Sequence, residues 1–134
     1  MKNERIKVII LNKVRGIQIT YIDNTLKAMQ NVVEGLIEYT SYKPLYEKGI
    51  ELIVNEEGRL LDLPETLLIH DERLNAINVL HGNVIITKTE DTEEGRENVS
   101  LTREDIAYVC DNLGTLLIAD KEDELEKILG LKVA

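Results

Sequence analysis

The chain contains no phenylalanine and no tryptophan, and its only aromatic side chains are five tyrosines. Leucine, isoleucine and valine must therefore fill any interior. The β-branched members of that set are stiff about χ1 and pack well on a pleated surface, so the stock favours a sheet covered by helices. At 134 residues and 43% hydrophobic content the chain suits one core, and we read residues 1–134 as a single domain. The expected fold is α+β, a small mostly antiparallel sheet with two to three helices packed on it. A chain of this size buries somewhat under about 70% of its unfolded surface, so neither a disulfide nor a structural metal is required.

Ile6-Lys7-Val8-Ile9-Ile10-Leu11 is a short apolar run, and Gly16 to Ile22 alternates apolar and polar residues, so the two predict a hairpin turning near Val14-Arg15-Gly16. Asp23 or Asn24 can cap a helix that uses Leu26, Met29, Val32 and Val33, with Gly35 as its left-handed end. Leu36 to Thr40 and Ile50 to Val54 read as neighbouring strands, joined through Lys43-Pro44 and Gly49. Residues 66–80 read either as a short helix using Leu67, Leu74 and Ile77 or as an irregular excursion. Asn83 to Thr87 is a further strand.

Thr89 to Asn98 has no apolar period and is expected to be a solvated loop. Thr102-Arg103-Glu104-Asp105 resembles a capping box, and Ile106, Val109, Cys110 and Leu113 follow at helical spacing up to Gly114. Thr115 to Ala119 is expected to be extended. Asp120 then caps a last helix with Leu125, Ile128 and Leu129 inward.

The charge is uneven. Residues 1–67 carry 9 basic and 10 acidic side chains, whereas residues 68–134 carry 7 and 15, within a net charge of −9. Between Glu90 and Glu126 there are 13 acids against Arg96, Arg103 and Lys121. A field of that sign repels nucleic acid and attracts basic partners. Local exceptions could form around Lys2, Arg5, Lys7, Lys13 and Arg15, but basic residues do not cluster with aromatics.

Cys110 is the only cysteine, so no intrachain disulfide can form and a reducing, cytoplasmic setting is expected. The charged start runs straight into a short strand, which does not fit a signal peptide, and no apolar run approaches the roughly 20 residues that cross a bilayer. Asn98-Val99-Ser100 fits a glycosylation sequon, which in such a chain is a chance match.

Taken in order, Ile22-Asp23-Asn24-Thr25-Leu26, then Gln30 to Glu38, then Asn55-Glu56-Glu57-Gly58-Arg59-Leu60 ahead of Leu63-Pro64, resemble the domain of unknown function family thirty-eight forty-six. His81 to Ile86 and Val99 to Ile106 are similar to its Gly-containing approach to a late strand and its Ser/Leu/Thr helix opening. The resemblance covers about residues 6–113 and implies a compact α+β domain encoded largely by phages, plasmids and other mobile elements, with no assigned activity. Lys43 to Glu47, Glu65 to Leu80 and the strand-helix extension 114–134 stand outside that pattern.

No cluster spells out a reaction. His70-Asp71-Glu72 places an imidazole beside two carboxylates, but adjacent residues seldom point one way and no nucleophile accompanies them. His81 reads as a turn residue. One cysteine and two separated histidines do not make a zinc site, and Cys110 reads as a small core residue. Gly58, Gly82 and Gly95 are isolated, so no phosphate-binding loop is present and no cofactor is called for.

The preferred expectation is a non-enzymatic interaction protein. Its partner would be a host protein with a basic surface, met by Glu90, Asp91, Glu93, Glu94 and Glu97 with Tyr39, Tyr42 and Tyr46 as apolar anchors. The alternatives are a binder that sequesters a nucleotide signal in a pocket that a homo-oligomer interface could form, and an enzyme using His70 with neighbouring carboxylates.

Overall fold

The computed structural model describes residues 4–70, 76–113 and 115–116. Strands β1 (Arg5–Asn12) and β2 (Gly16–Asp23) form the expected hairpin, in register over their full length from Arg5 opposite Asp23 to Asn12 opposite Gly16. Helix α1 (Leu26–Val33) follows, capped by the Thr25 hydroxyl, which accepts from the Ala28 amide, rather than by Asp23 or Asn24. The left-handed residue at its end is Glu34, at φ 65°, not Gly35. Gly35 is needed for another reason: a Cβ there would lie 2.6 Å from Asn55 Nδ2. That amide donates to the Val33 and Glu34 carbonyls and seals the helix end.

Strand β3 (Ile37–Thr40) pairs with β4 (Ile50–Asn55) as expected, and the connection holds one helical turn, α2 (Lys43–Tyr46), started by Pro44. The described residues of 66–80 form neither a helix nor an irregular excursion. They contribute to β5 (Glu65–His70) and β6 (Ala76–His81), which pair antiparallel. Leu67, Ile69 and Leu80 are buried, so the apolar positions obey a period of two that the helical reading obscured.

Strand β7 (Val84–Thr92) runs past the expected end at Thr87, and β8 (Gly95–Val99) turns back along it. The solvated loop expected at Thr89 to Asn98 is therefore a hairpin arm. Helix α3 (Arg103–Asn112) opens with the capping box in full: the Thr102 hydroxyl accepts from the Asp105 amide, and the Asp105 carboxylate accepts from the Thr102 amide. Strand β9 (Thr115–Leu116) pairs with β5. The helix expected from Asp120 lies outside the described residues.

The larger sheet runs β2-β1-β7-β4-β3, with β8 also on β7, and the smaller one runs β6-β5-β9. All pairings among the described residues are antiparallel, and the fold is α+β with three helices among those residues. β1 and β8 share one side of β7 in tandem, opposite Val84 to Ile86 and Lys88 to Thr92 respectively. Where they meet, Ser100 accepts from the Lys7 amide and Leu101 donates to the Lys7 carbonyl.

Alternation sends Ile9, Leu11, Ile50, Leu52, Val54, Val84 and Ile86 to one face, where they pack with Leu45 of α2, Ile106 and Val109 of α3, and Leu67, Ile69 and Leu80 of the small sheet. The other face sends Ile6, Val8, Ile10, Ile53 and Ile85 against Met29 and Val33 of α1. The sheet is thus the middle layer, and the buried side chains of both interfaces are almost all aliphatic, with Tyr42 and Tyr108 at the edge of one.

Candidate functional site

Helix α1 is short and covers only part of its face. Beyond it the same face of the sheet carries Tyr39, Glu51, Thr87, Thr89, Arg96 and Asn98, by the registers of Tyr39 with Ile53, Glu51 with Thr87, Thr89 with Asn98 and Asp91 with Arg96. β3 and β8 are separated in the sheet by β4 and β7. Tyr39 nevertheless reaches across them, and Asn98 Nδ2 donates to its hydroxyl at 2.8 Å. Asn98 is held in turn by Asn24, whose side chain donates to the Asn98 carbonyl at 3.2 Å.

This cross-piece has a cavity on each side. One, of about 380 Å³, is walled by the start of α1 (Thr25, Leu26, Met29) and by Ile37. The other, of about 330 Å³, is floored by Glu51 and Thr89. Both are bordered by Tyr39, Arg96, Glu97 and Asn98, so they adjoin.

The Glu51 side chain is only 13% exposed. Its one described hydrogen bond comes from the Thr89 hydroxyl at 3.0 Å, and Arg96 Nε stands 3.7 Å away, beyond hydrogen-bond range. Arg96 is instead bonded to Asp91 through Nη1 at 2.9 Å. The hydrogen bond to Asp91 and the carboxylate charges of Asp91 and Glu51 hold its guanidinium pKa above the usual value. Thr87, opposite Glu51, is fully buried, and its hydroxyl has no partner among the described residues.

Of the sequence-selected acids, Glu90, Asp91, Glu93, Glu94 and Glu97 all ride on the β7–β8 arm, but they do not share one face. Glu90 lies opposite Glu97 and, with Lys88, belongs to the side of α3, whereas Asp91 faces the α1 side with Arg96. Glu93 and Glu94 form the tip. Tyr39 joins the arm at the cavities, and Tyr46 is exposed. Tyr42 does not join them: it is half-buried against the core of the other face.

His70 belongs to β5, and Asp71 and Glu72 lie outside the described residues. His81, read from the sequence as a turn residue, is instead the last residue of β6, and its Nδ1 is 2.9 Å from the Leu63 carbonyl. Cys110 is half-buried rather than buried, and burial, with the Asp111 charge, pushes its thiol pKa up, away from a reactive thiolate. Arg5 and Lys7 sit at the opposite end of β1 from Lys13 and Arg15, so these cations form no single patch. No group of three or more His, Cys, Asp or Glu among the described residues could hold a metal, and no helix among them is long and apolar enough to cross a membrane.

Sequence reasoning missed Leu26, Glu51, Thr89, Arg96 and Asn98. The available signal was polar residues at face-alternating positions of strands, such as Glu51 in Ile50-Glu51-Leu52-Ile53, where an uncovered part of a sheet shows itself. Comparison with curated proteins finds no match to this chain, and comparison with solved structures finds none either. The model of one family, Domain of unknown function (DUF3846), matches residues 6–124, including the connections at 43–47 and 65–80 and part of the stretch beyond Gly114. An α+β domain with an acidic arm and an open half-face is therefore the form that this member of the DUF3846 family takes, and the chain belongs to that family.

Proposed function

We propose that the protein is a non-enzymatic interaction module that binds a partner protein with a basic surface. The observation that carries this reading is the β7–β8 arm, which concentrates Glu90, Asp91, Glu93, Glu94 and Glu97 on one projecting hairpin whose base opens into cavities edged by Tyr39. Carboxylates on such an arm steer a basic partner and fix its orientation, and the aromatic and aliphatic edge supplies area that leaves water on contact. In the mobile-element setting that the family resemblance implies, the partner is a cytoplasmic host protein, such as a defence or nucleic-acid-associated factor.

The test is capture of partners from host lysate by the wild-type protein and by the E93K/E94K/E97K variant. Capture should fall sharply in the variant and weaken as salt is raised. Equal recovery by both proteins would remove the arm from the argument.

A second reading, a binder of a small ligand, draws on the two adjoining cavities. Glu51, Asp91 and Glu97 around a single Arg96 oppose a phosphate-bearing signal there. A nucleotide that nonetheless raised the melting temperature would favour this reading over the first. An enzyme built on His70, Asp71 and Glu72 has no described geometry behind it.

A further inference from the structure

Resting on the interaction reading above, we propose that the cavity floored by Glu51 is a specific pocket for the alkyl-guanidinium or alkyl-ammonium side chain of an arginine or lysine presented by the partner. The cavity of about 330 Å³ combines a carboxylate at Glu51, a hydroxyl at Thr89, an amide at Asn98 and an aromatic ring at Tyr39. That set suits a cation carried on an aliphatic stem. The carboxylate takes a charge-assisted bond, the ring face attracts the cation and covers the stem, and the amide oxygen accepts a further N–H.

The state of Glu51 is the decisive observation. A side chain only 13% exposed carries a carboxylate that accepts one described hydrogen bond, from a neutral hydroxyl, and is ion-paired with Arg96 only loosely, at 3.7 Å, because Arg96 is bonded to Asp91 at 2.9 Å. A desolvated carboxylate with spare acceptor capacity gains more from an incoming cation than one in water does. Arg96 is 45% exposed on β8 and can retain Asp91 as a guest takes Glu51. Its charge competes with the guest, so Arg96 sets the threshold for entry. An anion is disfavoured, because Glu51 and Asp91 flank Arg96, the described guanidinium at this cavity.

The experiment is titration of the 15N-labelled protein, followed by amide NMR shifts, with three probes: acetyl-Ala-Arg-Ala-amide, agmatine and inorganic phosphate. The tripeptide should move the amides of Tyr39, Glu51, Thr89 and Asn98 in a saturable way, and phosphate should not. E51Q, which keeps the shape of the side chain, should weaken the tripeptide by at least about tenfold, the loss of one charge-assisted hydrogen bond. R96A should tighten it, since the resident competitor is gone. V14S, at an exposed position in the β1–β2 turn that borders neither cavity, should leave tripeptide affinity unchanged and serves as a folded control.

No saturable shift with the tripeptide, equal affinity in E51Q, weakened binding in R96A, or tight binding of agmatine without the tripeptide would each overturn the proposal. Those results would leave the arm reading standing, because capture by the E93K/E94K/E97K variant is measured separately. Loss of the arm reading alone would likewise leave a measured pocket affinity untouched.

Discussion

The two faces of the large sheet are built from one alternating sequence yet have different fates. The face bearing Ile50, Leu52, Val84 and Ile86 is roofed by α2, α3 and a second sheet, and each of those four side chains is fully buried. Among the described residues, the face bearing Ile53 and Ile85 is roofed by α1, and past the start of that helix its residues change to Glu51, Thr87, Thr89, Arg96 and Asn98. The difference teaches that covering length, not strand chemistry, decides where this domain keeps polar groups.

The contrast should break first at the roofed face. Leu52→Ala, at a fully buried position in the centre of β4, should cost about 2–5 kcal/mol in denaturant unfolding. A smaller loss is expected where the partial roof is fastened down. Asn55→Ala removes the amide that holds the Val33 and Glu34 carbonyls and the oxygen that accepts from the Glu57 amide, so it should cost about 1–3 kcal/mol. An Asn55→Ala protein with unchanged stability would mean that α1 is held by its apolar side alone.

A pH titration sharpens the comparison from the roofed side. Burial by itself raises the pKa of the Asp105 carboxyl, but bonds from the Thr102 backbone and hydroxyl and from Lys88 outweigh it, and the net shift is downward. A depressed carboxylate stabilises the fold above its unfolded pKa. That contribution is therefore fully present at neutral pH and is lost as pH falls below the ordinary aspartate range, through the folded value. Thr102→Ala should cost about 1 kcal/mol at neutral pH and flatten this acid-side slope, read by thermal unfolding from pH 7 to pH 2.

The smallest effect belongs to the open half. Thr87→Val keeps the shape and removes a buried hydroxyl with no described partner, so stability should stay unchanged or rise by up to about 1 kcal/mol. A clear loss would show that the hydroxyl is bonded in solution and that this part of the face is wetter than the roofed one.

Local signals made half of this architecture readable. The β1–β2 hairpin, the β3–β4 pair and the Thr102 to Asp105 capping box each depend on residues a few positions apart, and all three form as expected. β5 and β6 were missed because Leu67, Leu74 and Ile77 satisfy a helical spacing, while the alternation of Leu67 with Ile69 is short and hidden by the apolar Leu68 between them. β8 was missed because Gly95-Arg96-Glu97-Asn98-Val99 has poor intrinsic strand character and becomes a strand through its ladder with β7. The cavities draw on residues near positions 25, 38, 51, 89 and 97, and no motif spans separations of that kind.

The tandem seating of β1 and β8 along β7 also has a kinetic consequence. β7 is the one strand that touches β1, β4 and β8, and it lies late in the chain. During synthesis the β1–β2 and β3–β4 hairpins emerge first, each with a sticky margin exposed until residues 84–92 arrive to zip them together. Maturation of this domain should accordingly be a late, concerted event gated by one segment, and nascent chains stopped short of Val84 should be prone to self-association.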